Sequence, residues 1–401
     1  MNEPIAVAHI ITKLELGGAQ LNTLFTVAHL DRSRFRPILI AGEPGLLDRE
    51  AASLPGVAFH QVPSLIRPIN PLADLLALTK LTLLLARLKP TIVHTHSSKA
   101  GVLGRLAAKL AGVPLILHSI HGFGFTPAHR PITQRLLVAL ERMVARITTG
   151  FISVSEANRR QGVELGIFAE DRCAVIRSGI DRELFQKTEV DRPAKRRELD
   201  LDPGRPVIGM IAPFKPQKAP LDFVRMAALV HGARPDAQFL LIGDGELRGA
   251  IEAEIAQGGL SRVVHLAGWR RDIPKVMRCL DVLVLTSRWE GLPRVYLEGL
   301  ASGVPVVGTK VDGATEVIQE GVNGYLVEPG DVRGLAERVL SLLNRPEEAV
   351  SMGQAGRLLP AEFDIHEMVR LQEREYERIL GRSAERNRLR VAAGCGTQAR
   401  H

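Results

Sequence analysis

Short, uninterrupted apolar segments alternate with amphipathic segments along this 401-residue chain, and the whole pattern occurs twice. Continuous apolar runs with helical segments between them are typical of parallel sheets covered by helices on both faces. Five strands are predicted in each half, at AVAHIIT, RPILIAG, TIVHTHS, PLILHSI and FISVSE, then at VIGMIAP, AQFLLIGDG, VVHLAG, DVLVLTS and VPVVGT. The sequence therefore predicts an α/β protein with two doubly wound domains, whose strands present their carboxyl ends to a cleft.

The segment 178–206 is charged, contains proline and is poor in apolar residues, which indicates a domain boundary. We expect a first domain at residues 1–182 and a second at residues 183–362. The charged amphipathic segment MVRLQEREYERIL predicts a helix within residues 363–380. Residues 381–401 lack apolar periodicity and are predicted to form a disordered tail.

Composition favours the cytoplasm. The three cysteines are too few and too scattered for a disulfide framework or a clustered metal site, as is usual in a reducing compartment. The N-terminal segment lacks the basic region of a signal peptide and is predicted to be a strand. The most apolar stretch, residues 71–88, includes three charged side chains, so it is not predicted to span a membrane.

The net charge of +8 is concentrated in the first half of the chain. Residues 1–185 contain 21 Lys and Arg against 14 Asp and Glu, whereas the remainder contains 31 against 30. Basic side chains among leucine-rich helices suit an anionic surface at the inner face of the cell membrane or a phosphorylated acceptor, and an ordinary solvated basic face is the alternative. Nucleic acid is not an expected partner, because aromatic residues make up only 4% of the chain.

Two carboxylates, Glu290 and Glu298, lie in the segment between the strands DVLVLTS and VPVVGT. We expect Glu290 in the loop after the first strand and Glu298 inside the helix that follows, with Pro293 in its first turn. The backbone amides from Gly291 through Leu292 to Val295 would favour a phosphate or diphosphate. Carboxylates beside an anion site would accept hydrogen bonds from hydroxyl groups. A ligand with both hydroxyl and phosphate groups is therefore indicated, such as a sugar nucleotide.

The alternative for this segment is an ion pair between Arg294 and Glu298 on one helix face, with Glu290 in solvent. The order of the two charges, Arg before Glu, is the weaker orientation for such a pair.

Two loops that follow strands carry further candidates for binding a diphosphate. Lys215 and Lys218 come after VIGMIAP, where an ammonium group can neutralise a diphosphate leaving group. Gly17 and Gly18 follow the first strand and permit close backbone approach before a helix that begins near Ala19. This loop is not a GxGxxG fingerprint, so a nicotinamide enzyme is disfavoured.

Histidines and a tryptophan also follow predicted strands. His121 is best placed to contact a sugar, while His118 is expected to pack in the core; with His94 and His96 these residues make a zinc site conceivable, although no acid or cysteine accompanies them. Gly243 follows another strand. Trp269 and Arg270 are candidates for contacting a nucleobase, with ordinary burial of the tryptophan as the alternative.

These segments together resemble the family 4 glycosyltransferases. The family signature, two glutamates with seven residues between them, occurs here within EGLPRVYLEGLASGVPVV. GGAQ, VIRSGID, LIGDGEL and VDGATEVIQEGVNGYLVEPGD stand in the order that the family has, and the resemblance extends from about His9 to Leu380. It implies the GT-B fold, with two Rossmann-like domains at a central cleft and a C-terminal helix that returns to the first domain.

The resemblance also implies residue roles. Glu290 would bind hydroxyls of the donor sugar and Glu298 the ribose. Lys218, with amides near Gly18 and Leu292, would hold the diphosphate, and His121 would approach the transferred sugar. One departure is that Pro213 stands where the family usually has an arginine, and Lys215 is the candidate to compensate for it.

The implied activity is retaining, metal-independent transfer from a UDP- or GDP-linked sugar, without a resident cofactor. The acceptor would be a glycan, polyprenyl-diphosphate-linked, in exopolysaccharide, capsule or lipopolysaccharide synthesis. Two alternatives stay open, a nucleotide-sugar 2-epimerase of the same fold and a sugar-nucleotide-binding module without catalysis.

Overall fold

Two parallel sheets organise the chain, as seen in a computed structural model that describes residues 3–125 and 129–395. The chain divides into two units. The first unit contains the residues up to Ser178 together with those from His366 onward, and the second contains Gly179–Ile365. The predicted boundary at residues 182/183 falls just after this division.

The first unit contains a seven-stranded sheet in which all paired neighbours are parallel. Its strand order is β3-β2-β1-β4-β5-β6-β7. The strands are β1 (Ile5–Lys13), β2 (Phe35–Glu43), β3 (Ala58–Gln61), β4 (Ile92–His96), β5 (Leu115–Ile120), β6 (Gly150–Ser153) and β7 (Cys173–Val175). Its helices are α1 (Gly18–His29), α2 (Asp48–Ser53), α3 (Pro71–Leu88), α4 (Ser98–Leu110), α5 (Pro131–Ala145) and α6 (Glu156–Glu164).

The second unit contains a six-stranded parallel sheet of order β10-β9-β8-β11-β12-β13. The strands are β8 (Val207–Ile211), β9 (Gln238–Ile242), β10 (Val264–Leu266), β11 (Val282–Leu285), β12 (Val306–Thr309) and β13 (Gly324–Val327). The helices are α7 (Arg182–Lys187), α8 (Arg192–Glu198), α9 (Pro220–Ala233), α10 (Arg248–Gln257), α11 (Ile273–Met277), α12 (Arg294–Ala301), α13 (Val332–Asn344) and α14 (Pro346–Gly356).

Burial explains why the central strands could be predicted. Every residue of β4, β5, β9 and β11 is buried, so each of these strands is covered on both faces of its sheet. All ten predicted strands are present. The three strands that the sequence did not reveal, β3, β7 and β13, lie at sheet edges, are only three or four residues long, and are partly exposed. Edge strands pair on one side only, which weakens their apolar signal.

The C-terminal helix α15 (Ile365–Cys395) belongs from His366 onward to the first unit, where its Tyr376 ring packs against Phe35 with ring centroids 5.6 Å apart. This agrees with the predicted return of a C-terminal helix to the first domain. Residues 381–395, which we expected to belong to a disordered tail, are helical. They are rich in Arg and Ala and contain no proline, so helical propensity can extend the helix where apolar periodicity is absent. The rest of the predicted tail, residues 396–401, lies outside the described residues.

Among the described residues, no helix combines the length and the apolar character required to cross a bilayer.

Candidate active site

The loops that carry Lys218 and Glu290 meet at one edge of the second sheet. Strands β8 and β11 are neighbours, and the strand order reverses between them. In a doubly wound sheet, loops on either side of such a reversal separate above the strand ends and leave a crevice for a ligand. Lys218 follows β8 and Glu290 follows β11, so topology brings together two residues that are 72 positions apart.

Glu290 is buried and fully engaged. Its Oε1 accepts hydrogen bonds from the Lys218 ammonium group and from Ser287 Oγ, the latter at 2.6 Å. The backbone N–H of Glu290 donates to Asp312 Oδ2 at 2.9 Å. With 6% of its surface exposed, Glu290 does not stand in solvent, so that part of the alternative interpretation is wrong.

Further hydrogen bonds join the two loops. The Gln217 side chain donates to the Trp289 carbonyl at 2.9 Å, and the Arg288 N–H donates to the Gln217 carbonyl at 2.7 Å. Thr286 Oγ1 lies 2.8 Å from the Lys218 carbonyl. Because each loop donates a hydrogen bond to the other, the two loops that carry Lys218 and Glu290 are held together rigidly.

Glu298 lies inside α12 and forms an ion pair with Arg294, with 3.4 Å between Nη2 and Oε1. The helix pair of the alternative interpretation therefore exists. Burial raises the pKa of Glu298, and the Arg294 charge offsets part of that rise. A buried carboxylate with only one cationic partner retains capacity to accept hydrogen bonds from hydroxyl groups.

Asp312 is a site residue that we did not single out. It follows β12, the strand next to β11, in the segment VDGATE. Burial raises the pKa of Asp312, the backbone N–H of Glu290 opposes that rise, and the Glu290 charge adds to it. Its position after the next strand of the same sheet was the available signal.

The entry to α12 differs slightly from the prediction. Pro293 occupies the N-cap and the helix begins at Arg294, one residue later than a proline in the first turn would place it. Gly291 and Leu292 are buried immediately before it, and Val295 lies in the first turn. The segment therefore aims a helix N-terminus at the edge where Lys218 and Glu290 meet.

The other candidates in this unit lie at neighbouring strand ends. Gly243 follows β9 with φ +134°, and a Cβ atom at this position would lie 2.0 Å from the Ala212 carbonyl oxygen, so its glycine is required by the backbone. Trp269 is 39% exposed, which excludes ordinary core burial. The Arg270 guanidinium donates to Asp272 at 2.7 Å and to Glu198 at 2.6 Å, so a nucleobase would meet an arginine that already has two carboxylate partners. Lys215 begins the short turn that contains Lys218.

In the first unit, α1 begins at Gly18 with Gly17 as its N-cap, close to the predicted start. His121 follows β5 and lines a cavity with His96, Ser119 and Asn22. Burial lowers the pKa of His121 to about 4, so the ring is neutral near pH 7.

Three buried histidines of this unit, His9, His94 and His96, each place one ring nitrogen within 4.8 Å of the others. Such a group has the donor atoms of a metal site, and the sequence suggested His94 and His96 for it but missed His9 in β1. His118 is instead bonded to Thr95 at 2.9 Å. Since both ring nitrogens of each of the three histidines take part in hydrogen bonds, a metal would have to displace those bonds.

Comparison with known families accounts for most of the chain. A model of the glycosyl transferases group 1 family matches residues 191–359, and a model of glycosyltransferase family 4 matches residues 16–184.

Characterised relatives extend the similarity to nearly full length. The UDP-Gal:α-D-GlcNAc-diphosphoundecaprenol α-1,3-galactosyltransferase of Escherichia coli is 32% identical over 352 residues, covering 85% of this chain and 90% of the relative. The capsular polysaccharide biosynthesis glycosyltransferase CapM of Staphylococcus aureus is 26% identical over 303 residues, covering 74% and 79%.

Solved structures share the fold. Anabaena HepE in complex with UDP and glucose gives a TM-score of 0.80 at 22% identity, covering 92% of this chain and 99% of that one. Sucrose-phosphate synthase from Thermosynechococcus elongatus gives 0.81 at 18% identity, covering 94% and 99%.

Proposed function

Because the chain belongs to the group 1 glycosyltransferases, we propose that it transfers a sugar, with retention and without a metal, from a nucleoside-diphosphate donor to a lipid-linked glycan. The chain is a glycosyltransferase of polysaccharide biosynthesis with the GT-B fold that the sequence predicted. The retention, the metal independence, the donor and the acceptor are the proposal.

The buried pair of Lys218 and Glu290 at the strand-order reversal is the observation that supports donor binding best. A sugar hydroxyl that donates to Glu290 would replace part of its bond to the lysine. The Lys218 ammonium group would then be available to a phosphate oxygen nearby. The donor would thus offer a hydroxyl group to Glu290 and a phosphate oxygen to Lys218. Without the donor, the two side chains neutralise each other's charge.

Lys218 and the N-terminus of α12 would supply the electrostatic part of the chemistry. As the bond from the sugar to the diphosphate breaks, negative charge builds up on the leaving phosphate, and a fixed ammonium group stabilises it. The leaving phosphate can accept the proton of the attacking acceptor hydroxyl on the same face of the sugar, which gives retention. Lys218 and the N-terminus of α12 would supply the positive potential that a metal ion supplies elsewhere.

The proposed acceptor follows from the E. coli relative, whose name specifies a sugar on diphosphoundecaprenol. A lipid-linked acceptor requires the enzyme to reach a bilayer surface. The first unit has a face suited to that task.

Helices α3 and α5, which both pack against α4, carry the exposed side chains that we call the leucine face. Apolar side chains of the two helices project outward from it with exposures of 47–82%: Leu72, Leu75, Leu76, Leu83, Ile132, Leu136 and Met143. Exposed basic residues lie on the same two helices, at Lys80, Arg87, Arg135 and Arg142. Leucines that enter the lipid boundary beside cations that meet anionic headgroups favour peripheral binding to an anionic membrane.

The proposal is tested by measuring release of nucleoside diphosphate from a panel of nucleotide sugars, first screened by thermal shift. Release that requires a polyprenyl-diphosphate-linked glycan, with an α-linked product from an α-linked donor, is the expected result. Release without acceptor, or conversion of the donor to its epimer, would indicate the epimerase alternative. Donor binding without any turnover would indicate a binding module.

A further inference from the structure

A continuous row of hydrogen bonds crosses the first unit beneath the carboxyl ends of its strands. All of its members are buried or half-buried, and each is bonded to the next. We call it the histidine chain, and in order it consists of Ser119, His94, Tyr376, His9, His96 and His121.

The distances show that the row is unbroken. Its first part runs from Ser119 Oγ to His94 Nε2 at 2.7 Å and from His94 Nδ1 to Tyr376 Oη at 2.7 Å. Tyr376 Oη lies 3.3 Å from His9 Nε2.

The second part continues through the other nitrogen of each ring. His9 Nδ1 lies 3.0 Å from His96 Nε2, and His96 Nδ1 lies 3.2 Å from His121 Nε2. The tyrosine comes from α15, so the C-terminal helix supplies the link between two strands of the sheet.

Because the imidazole rings are neutral, all hydrogen bonds in this row must run in the same direction, and two such directions are possible. A neutral ring has one N–H donor and one bare acceptor nitrogen, and a tyrosine hydroxyl has one proton. If His94 donates from Nδ1 to the tyrosine, Tyr376 donates to His9 Nε2, and every later ring must also be protonated on Nδ1. If the direction is reversed, all four histidines are protonated on Nε2.

Burial keeps the rings neutral, which this argument requires. Burial lowers the pKa of His9 to about 3 and lowers the pKa of His94 and His96 far below the ordinary value. Neighbouring histidines lower the pKa of His94 and His96 further. An imidazolium in the row would place two donors against each other.

Both ends of the histidine chain reach the same cavity, because Ser119 and His121 both line it. Its wall also contains buried polar atoms for which the described part of the chain provides no hydrogen-bond partner: both amide atoms of Asn22, Thr26 Oγ1 and Gln372 Oε1. A water or a ligand hydroxyl in this cavity would meet donors or acceptors according to the direction of the row.

We propose that Tyr376 is a positioning residue that ties the tautomer of His121 to that of His94 through the histidine chain. The tyrosine couples His94 and Ser119 to the three rings that end at His121. Without its hydroxyl, His9, His96 and His121 can reverse together, independently of His94. The ring at the proposed sugar site would then present either a donor or an acceptor.

The test is nitrogen-15 NMR of the full-length chain labelled in histidine, with the His121 signals identified from a His121→Gln variant. In the wild-type protein we expect His9, His94, His96 and His121 to share one tautomer. In Tyr376→Phe, which keeps the ring that packs on Phe35, we expect the His121 signals to become an average of two tautomers.

Thr95→Val is the matched control. It removes a buried hydroxyl from β4, the strand of His94 and His96, but this hydroxyl is bonded to His118, which lies outside the row. We expect it to leave the His121 tautomer unchanged. A change of equal size in Thr95→Val would indicate general loosening of the core and would overturn the proposal.

A second readout is kinetic and rests on the proposed function. Loss of one oriented hydrogen bond should lower kcat by about three- to tenfold in Tyr376→Phe, with the KM for the donor unchanged, because its proposed contacts are mainly in the second unit. If the wild-type protein shows no transfer, the proposed function fails while the NMR result still decides the tautomer.

Three further results would overturn the inference: different tautomers among the four rings of the wild-type protein, a single unchanged His121 tautomer in folded Tyr376→Phe, or stoichiometric metal on His9, His94 and His96. If Tyr376→Phe does not fold, the wild-type spectrum decides by itself, since one shared tautomer is required.

Discussion

Lys218 donates a hydrogen bond to Glu290 across the boundary between two adjacent parallel strands, and both side chains are largely buried. Isolated, either charge would be costly at this position. The pair therefore stabilises the free protein, and in the proposed complex it would provide the two groups that bind a sugar diphosphate. This relationship leads to the first prediction.

Lys218→Ala should lower kcat by about 30- to 1000-fold, which corresponds to about 2–4 kcal/mol of lost transition-state stabilisation. It should also lower the melting temperature, because Glu290 is left as a buried, unpaired carboxylate. Steady-state kinetics at saturating donor, with a thermal melt, measures both. Lys275→Ala, at an exposed lysine of α11, is the control. A decrease in kcat of less than tenfold would contradict the role of Lys218.

Glu298→Gln should weaken binding of the nucleoside diphosphate by about tenfold or more, because an amide replaces the charged acceptor proposed for the ribose. Titration calorimetry with UDP and GDP measures the change. Because the substitution also removes the ion pair with Arg294, a thermal melt of the variant is measured beside the titration. Glu337→Gln, at an exposed position of α13, is the control. Unchanged affinity would assign Glu298 to its ion pair with Arg294 alone.

The double variant Leu75→Gln, Leu83→Gln should reduce binding to phosphatidylglycerol vesicles by about tenfold, because it removes apolar area from the leucine face. Co-sedimentation measures the bound fraction. Leu358→Gln is the control, since that side chain is 83% exposed in the second unit. Binding of the wild type should also fall as salt rises. Binding that salt does not affect would exclude the electrostatic part of the proposal.

The first unit should lose stability as the pH falls below about 6.5. The folded state lowers the pKa of His9 to about 3, so between pH 6.5 and 3 His9 binds a proton in the unfolded chain but not in the folded one. The contribution is constant above the unfolded pKa and decreases between pH 6.5 and 3. His9 alone should account for about 1.4 kcal/mol between pH 7.5 and 5.5. Hydrogen exchange of the β1 and β4 amides measures this change, and protection independent of pH over that range would refute it.

Much of the fold could be predicted from the sequence because central parallel strands are covered on both faces. Such strands must be apolar over their whole length, as Val282–Leu285 is, so the period of the pattern and the length of each run were sufficient. The edge strands β3, β7 and β13 and the helical continuation after residue 380 were missed because none of them depends on two-sided burial.

The candidate site was predicted in part, and for a similar reason. Lys218 and Glu290 follow neighbouring central strands of the second sheet, and residues in those positions share one edge of that sheet, while His121 follows a central strand of the first sheet. Asp312 follows another strand of the second sheet, within the segment VDGATE, but the sequence does not show that its carboxylate meets the backbone N–H of Glu290. The ion pair between Arg270 and Glu198 was not predicted, because it joins residues that are 72 positions apart.

The sequence by itself determined the two parallel sheets and the residues at their strand ends, because hydrophobic periodicity and turn chemistry are local properties. Only the tertiary structure decided which of those residues touch. The bond from Lys218 to Glu290 depends on the pairing of β8 with β11, and the histidine chain depends on Tyr376 of the last helix reaching β1 and β4. Contacts of this kind are set by strand order and by packing between distant segments, which no local pattern encodes.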